Sequence, residues 1–318
     1  MALEAVREAA GACRTVQQGV DALTLEKDDR SPVTVADFAS QALVARSLAR
    51  AFPDDPLVGE EDAAALRAPD QAARRAEVHA RVSAVVGEAT VDDVLGWIDR
   101  GGARPSAGRT WVLDPVDGTK GFLRGEQYAV ALALLVEGQP QVAALACPNL
   151  PLGPGADSPV GCVFTAMRGE GASMAPLFEA GPAHPIRVSE QSEAAALRLC
   201  ESVESGHSAH DQSARLVERM GIEADPVRLD SQAKYGVVAR GDAELYLRLP
   251  TRPGYQEKVW DHAAGVLVVE EAGGVVTDVD GRPLDFRQGR TLARNRGVVV
   301  SHGSFHARVL ALLHELNV

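Results

Sequence analysis

Apolar positions in the opening segment "MALEAVREAAGACRTVQQGV" recur at helical spacing from Leu3 to Val20, which predicts an amphipathic helix. In "SPVTVADFASQALVARSLARAF" the β-branched run Val33–Val35 predicts an extended start, and the pattern turns helical from about Asp37. "PDDPLVGEED" reads as a turn and a short strand that ends in acids, and the alanine- and arginine-rich Ala63–Ala89 is helical after Pro69. "RTWVLDPVDGTKGF" is a strand that runs into two aspartates. "YAVALALLVEGQPQVAALACP" reads as two strands around a Glu-Gly turn. The Pro- and Gly-rich "NLPLGPGADSP", Asn149 to Pro159, marks the boundary between two lobes, residues 1–155 and 156–318. Beyond it, "IRVSE", "LRLCESVE", "DPVRLDS" and "AELYLRLP" are strand candidates, with helices over Asp211–Met220 and Asp261–Ala272. That alternation predicts an α/β second lobe.

Composition narrows the class. At 318 residues, with 46% hydrophobic and 24% charged residues, the chain is a folded protein long enough for two lobes. A net charge of −12 argues against a nucleic-acid surface, because phosphate backbones attract basic proteins. A small anionic substrate remains open, but its site would need local positive charge from a metal or a few placed Lys and Arg. No apolar run approaches the roughly 20 residues that cross a membrane. The first segment lacks the basic start and unbroken apolar stretch of a signal peptide. Cys13, Cys147, Cys162 and Cys200 are scattered, with no spacing that suggests zinc or a redox couple. A reduced, cytoplasmic protein without a membrane partner is expected.

Four acidic clusters then stand out, each at the end of an apolar strand or the start of a helix. They are Asp37 in "TVADFASQ", Glu60-Glu61-Asp62 in "PLVGEED", Asp114 and Asp117 in "LDPVDGT", and Asp261 in "KVWDHAAG". Taken singly, each has a plain reading: a turn, a solvated acidic loop, or a helix N-cap. Taken together they supply what a hard cation needs, since Mg²⁺ takes oxygen ligands in an octahedron at about 2.0–2.1 Å. Asp114 and Asp117 could bind adjacent ions, with the Val116 carbonyl as a neutral ligand between them. If a helix begins at Gly118 and Thr119, their N–H groups face whatever the metals hold, and helix N-termini favour phosphate.

In order and wording, "GEE", "DPVDGTKGF" and "WDHAAG" resemble the three signatures of the Mg²⁺-dependent, lithium-sensitive phosphatases related to inositol monophosphatase. The resemblance runs from Asp37 to about Gly274. It implies a mixed α and β fold, a layered α-β-α-β-α sandwich of the inositol monophosphatase and fructose bisphosphatase type. Its amino-terminal lobe would be α+β, its carboxy-terminal lobe α/β, and the site would lie between them. It also implies two or three Mg²⁺ ions on Glu60, Asp114, the Val116 carbonyl, Asp117 and Asp261, with Glu61 as the alternative to Glu60. Asp37 and Thr119 would orient and deprotonate a water for in-line attack, with no phosphoenzyme.

The wording between the signatures, "DGTKGFLRGEQYAVALALLVEG", "DSQAKYGVVARGDAELYLRLP" and "YQEKVWDHAAG", is closer to the 3′(2′),5′-bisphosphate nucleotidase branch. That branch removes the 3′-phosphate of adenosine 3′,5′-bisphosphate and often of its sulfated form, the sulfate donor, which implies a place in sulfate assimilation. The uncut phosphate needs its own basic or hydroxyl partners. The resemblance implies Ser231, Lys234, Arg248 and a histidine of "GHSAH", His207 in preference to His210, with Gly118 and Thr119 on the phosphate that is cut. A monomer or homodimer acting on a small nucleotide is expected. The alternatives are an inositol- or sugar-phosphate phosphatase of the same fold, or a non-catalytic nucleotide and metal sensor.

Overall fold

In a computed structural model the chain is described over residues 1–19, 31–105, 107–155, 157–203, 210–252 and 254–318. Helix α1 (Ala2–Gln18) places Ala5, Val6, Ala9, Cys13 and Val16 on one buried face. Helix α2 (Ser31–Ala51) is helical from its first residue, so the extended start expected at Val33–Val35 is not formed. Pro32 stands in the first turn, where its missing N–H costs nothing. The buried Val35, Phe38, Ala39, Ala42 and Leu43 give the helix more tertiary contact than a short strand could recover. Packing of that stripe overrides the weak strand preference of β-branched residues.

The next elements are β1 (Leu57–Gly59), α3 (Ala72–Val86), α4 (Val91–Asp99), β2 (Arg109–Asp117), α5 (Thr119–Leu123), β3 (Ala129–Val136) and β4 (Gln139–Pro151). They are followed by β5 (Val160–Met167), β6 (Gly171–Pro176) and β7 (His184–Ile186). The seven strands form one sheet in chain order, with β1 parallel to β2 and every later neighbour antiparallel. Glu137 and Gly138, at φ 52° and 74°, make the two-residue hairpin turn expected between β3 and β4. The Pro- and Gly-rich stretch after Asn149 links β4 to β5 inside this sheet, with Pro151 opposite Val160. One sheet gives way to the other between Ile186 and Leu199, later than the expected boundary at 155/156. Pro and Gly mark a turn locally; whether the next strand folds back or leaves is decided by pairing.

The second sheet draws on β8 (Leu199–Glu201), α6 (His210–Met220), β9 (Val227–Arg228), α7 (Ala233–Ala239), β10 (Leu245–Arg248) and α8 (Ala263–Glu271). It is completed by β11 (Val275–Thr277), β12 (Val298–Ser301) and α9 (His306–Glu315), in the strand order β11-β12-β10-β8-β9.

Alternation along β3 accounts for the layering. Val130, Leu132 and Leu134 join the core beneath α1 and α2, whereas Ala129, Ala131 and Ala133 join a second core against α7 and α8. Because side chains alternate with period two, a one-residue slip would drive leucines into the alanine face, so the register is specified. The second sheet repeats the device: Tyr246, Val298 and Val300 face α7 and α8, while Leu245, Leu247 and Val299 face α6 and α9. The result is the expected α-β-α-β-α sandwich. Among the described residues no helix is long and apolar enough to cross a membrane. All four cysteines are buried free thiols, and Cys147 lies opposite Cys162 across β4 and β5.

Candidate active site

Residues three apart on a regular strand point to opposite faces, so the β2 strand alone would separate Asp114 from Asp117. Asp114 pairs with Ala131 and Asp117 with Ala129, so three steps on β2 oppose two on β3. This is a β-bulge, and the extra residue turns both carboxylates into one cavity. Pro115 sits in the bulge, where a missing N–H is tolerated, and its carbonyl accepts a 2.8 Å hydrogen bond from Ser40 Oγ. Gly118, at φ 89°, then swings the chain into α5. A Cβ there would come within 2.9 Å of Ser231 Cβ, so the turn requires glycine.

Strand β1 runs parallel to β2 with Gly59 beside Leu113, which brings Glu60 out next to Asp114. The loop is braced from two sides. The buried Gln41 of α2 donates from Nε2 to the carbonyls of Glu61 (2.6 Å) and Ile98 (2.8 Å) and accepts from Glu61 N–H at 3.0 Å. A Cβ on Gly59 or Gly101 would lie 2.4 or 2.3 Å from that amide, so both glycines make room for it. From the other side, Arg290 donates to the carbonyls of Gly59 (2.5 Å) and Gly101 (3.2 Å).

Asp261 precedes α8 and does not cap it; the cap position is His262. Its Oδ2 accepts from Arg248 Nη2 at 2.8 Å, while Arg248 Nε pairs with Glu257 at 2.8 Å. Burial alone would raise Glu257, but Arg248 and His262 outweigh it and hold the carboxyl down at about 2. The ligating atoms of Glu257, Asp261 and His262 lie within 4.8 Å of one another. Glu257 is 4% exposed and already engaged by Arg248, and His262 Nδ1 is 2.7 Å from the Tyr235 hydroxyl. Glu257, held by His262, therefore fixes Arg248 and through it Asp261.

One cavity of about 350 Å³ is lined by Glu60, Asp114, Val116, Asp117, Gly118, Thr119, Ser231, Lys234, Arg248 and Asp261, so the structure brings together most of the expected site. Glu61 does not line it. Asp37 stands behind the wall, 8% exposed, and shares no direct hydrogen bond with Thr119. His207 lies outside the described residues, and His210 opens α6. Reasoning from sequence missed Arg290, which no local motif marks, and Gln41, the last residue of the quoted "TVADFASQ". It also passed over Gln232, Tyr255 and Glu257, although they lie inside the quoted "DSQAKY" and "YQEKVWDHAAG". Gln232 N–H donates to Asp117 Oδ2 at 2.5 Å, and its side chain ties Trp260 O and Gly265 N–H together.

The electrostatics are those of crowded acids. Glu60, though open to the cavity, is pushed up to about 8, first by loss of surrounding water and then by Asp261, Glu61 and Asp117. Asp114 is raised well above the carboxylate range by burial and then by Glu60, Asp117 and Asp261. Burial, against the opposing pull of Arg248, raises Asp261 as well. Asp114 Oδ1 is buried without a hydrogen-bond partner, which a native fold rarely tolerates. An all-oxygen donor set with an orphaned carboxylate oxygen fits a hard divalent cation. Lys120, Lys234 and Arg248 line the same cavity, Arg248 in contact with Asp261. Lys234 is buried, which lowers its pKa, and donates to Leu229 O at 3.1 Å.

The sequence profile of the inositol monophosphatase family matches residues 1–317. The chain belongs to that family. The family is metal-dependent, in keeping with the acid cluster. Within it, a 3′(2′),5′-bisphosphate nucleotidase of Schizosaccharomyces pombe is 44% identical, the match covering 90% of this chain and 84% of that protein. An Oryza sativa protein of the same name is 43% identical over 99% of this chain and 92% of its own length. Among solved structures, an inositol monophosphatase from Anabaena superposes with a TM-score of 0.63 at 23% identity, covering 98% of this chain and 95% of the other. A Thermotoga maritima IMPase gives 0.65 at 20% identity, covering 99% and 96%. These two show the shared fold.

Proposed function

We propose that the protein hydrolyses the 3′-phosphate of adenosine 3′,5′-bisphosphate, and of its 5′-sulfated form, in an Mg²⁺-dependent reaction. The observation that carries this reading is one cavity lined by both signs of charge: the acids Glu60, Asp114, Asp117 and Asp261 and the cations Lys120, Lys234 and Arg248. A substrate with one phosphate to cut and another to hold needs both kinds of group. Related proteins that carry the nucleotidase name at 38–44% identity support it.

Glu60, Asp114, the Val116 carbonyl, Asp117 and Asp261 would hold the divalent ions, two or three per site. Bound there, the ions supply charge neutralisation at the phosphoryl oxygens and at the leaving ribose oxygen. The chain's own groups do the rest. Thr119, exposed to the cavity, orients the water for in-line attack. Asp37 is the base toward which the proton moves: burial, then Glu61 and Glu60, raise its carboxyl, and a more basic carboxylate takes a proton more readily. Ser231, Lys234 and Arg248 hold the uncut phosphate, with Arg248 presented by Glu257.

Phosphate release from adenosine 3′,5′-bisphosphate, adenosine 3′-monophosphate and inositol monophosphate, each with and without Mg²⁺, tests the proposal. The bisphosphate should be preferred, turnover should need Mg²⁺, and Li⁺ should inhibit. Equal or faster release from inositol monophosphate would move the protein to the other branch of the family.

A further inference from the structure

Arg290 lies 231 positions beyond Gly59 yet touches the backbone immediately before both arms of the acid cluster. Its guanidinium donates to Gly59 O at 2.5 Å, one residue ahead of Glu60, and to Gly101 O at 3.2 Å. Its own carbonyl accepts from Val259 N–H at 3.2 Å, two residues ahead of Asp261. That backbone contact is continued by a bridge between Lys258 and Thr291 and by Leu292 N–H donating to Glu257 O at 2.8 Å. Between the two attachments the guanidinium lies over Trp260, 4.7 Å from the ring centroid. One side chain thus spans from β1 of the first sheet to the segment that leads into α8.

Glu60 and Asp261 carry like charge and repel each other, so nothing in the pair itself sets their spacing. We propose that Arg290 is a positioning residue for the divalent-ion site, setting the separation of Glu60 and Asp261 by tying the backbone ahead of each. The geometry asks for arginine in particular. A planar fork can donate to two carbonyls at once and stack on an indole face, whereas an ammonium offers a point charge. Gln41 braces the same loop, but its hydrogen bonds go to Glu61 and Ile98 and not to the Asp261 segment, so they do not set this distance.

The inference rests on the reading of the acid cluster as a divalent-ion site, and one experiment separates the two. Metal-free wild type, Arg290→Gln and Arg290→Lys are titrated with Mg²⁺, and affinity is read from the rise in Tm. Partners just outside a metal's ligands typically change affinity about 10–100-fold, and that loss is expected for Arg290→Gln. Arg290→Lys should fall between it and wild type, and kcat at saturating Mg²⁺ should stay within a few-fold of wild type. Arg287→Ala, a nearby exposed arginine paired with Asp285, should leave Mg²⁺ affinity unchanged. Either Arg290 variant decides the matter: Mg²⁺ affinity equal to wild type, with only metal-free Tm lowered, makes Arg290 a folding residue and overturns the proposal. A wild type that shows no Mg²⁺-dependent rise in Tm would overturn the ion-site reading instead.

Discussion

Gln41→Leu isolates the hydrogen bonds of the Glu61 loop, because leucine roughly keeps the volume and removes every polar atom. Two backbone groups lose their partner, the carbonyl and the N–H of Glu61, while the Ile98 carbonyl loses one bond and keeps the Gly101 N–H at 3.0 Å. A buried group left unsatisfied costs about 1–3 kcal/mol, with the lower end for groups that water can reach. The two Glu61 groups are partly buried and cost about 1–1.5 kcal/mol each, and the lost Ile98 bond adds about 1 kcal/mol, so the sum is about 3–4 kcal/mol. Unfolding entropy is about 2.1 cal/mol/K per residue, or about 0.7 kcal/mol/K for 318 residues, so Tm should fall by about 4–6 °C. Scanning calorimetry of metal-free wild type and variant reads this directly. A second readout ties the loss to the site: the Mg²⁺ concentration for half-maximal activity should rise, because Glu60 adjoins the released loop. A Tm within about 1 °C of wild type would refute the reasoning, since the two Glu61 groups would then be satisfied without Gln41.

Three further outcomes are expected. Asp117→Asn should lower kcat by about 100-fold or more, as an amide is a poor ligand for a hard cation, while metal-free Tm holds or rises because one repelling charge is gone. Near-normal turnover at saturating Mg²⁺ would remove Asp117 from the ligand set. Thr119→Ala should lower kcat about 100-fold with little change in KM, and a KM effect alone would make Thr119 a binding residue. Metal-free Tm should fall as pH rises: the Glu60 carboxyl titrates at about 8 when folded against 4.5 when free, so the folded state binds more protons in that window and loses stability through it. Saturating Mg²⁺ should flatten the slope, and a metal-free Tm that climbs with pH in a thermal scan would contradict the crowded-acid picture.

Local chemistry was legible in the chain itself. The β3 and β4 run, the Glu-Gly turn and the helices near the amino terminus, over Asp211–Met220 and over Asp261–Ala272 follow from period and turn residues, which act over a few positions. The three acidic signatures named a family and, with it, residues that line one cavity. Contacts between distant segments decided the rest. Val33–Val35 became helical because the stripe behind it had a core to join, and the Pro- and Gly-rich turn kept its strand in the first sheet because β5 found β4. The bulge that aims Asp114 and Asp117 the same way exists only against β3. Arg290 lies in no quoted stretch, and nothing local singles out Gln41 or Glu257 within theirs; each matters through hydrogen bonds to groups that folding places beside it. Period and propensity are properties of neighbours in sequence, whereas the spacing of mutually repelling carboxylates is set by whatever tertiary contacts hold their backbones apart.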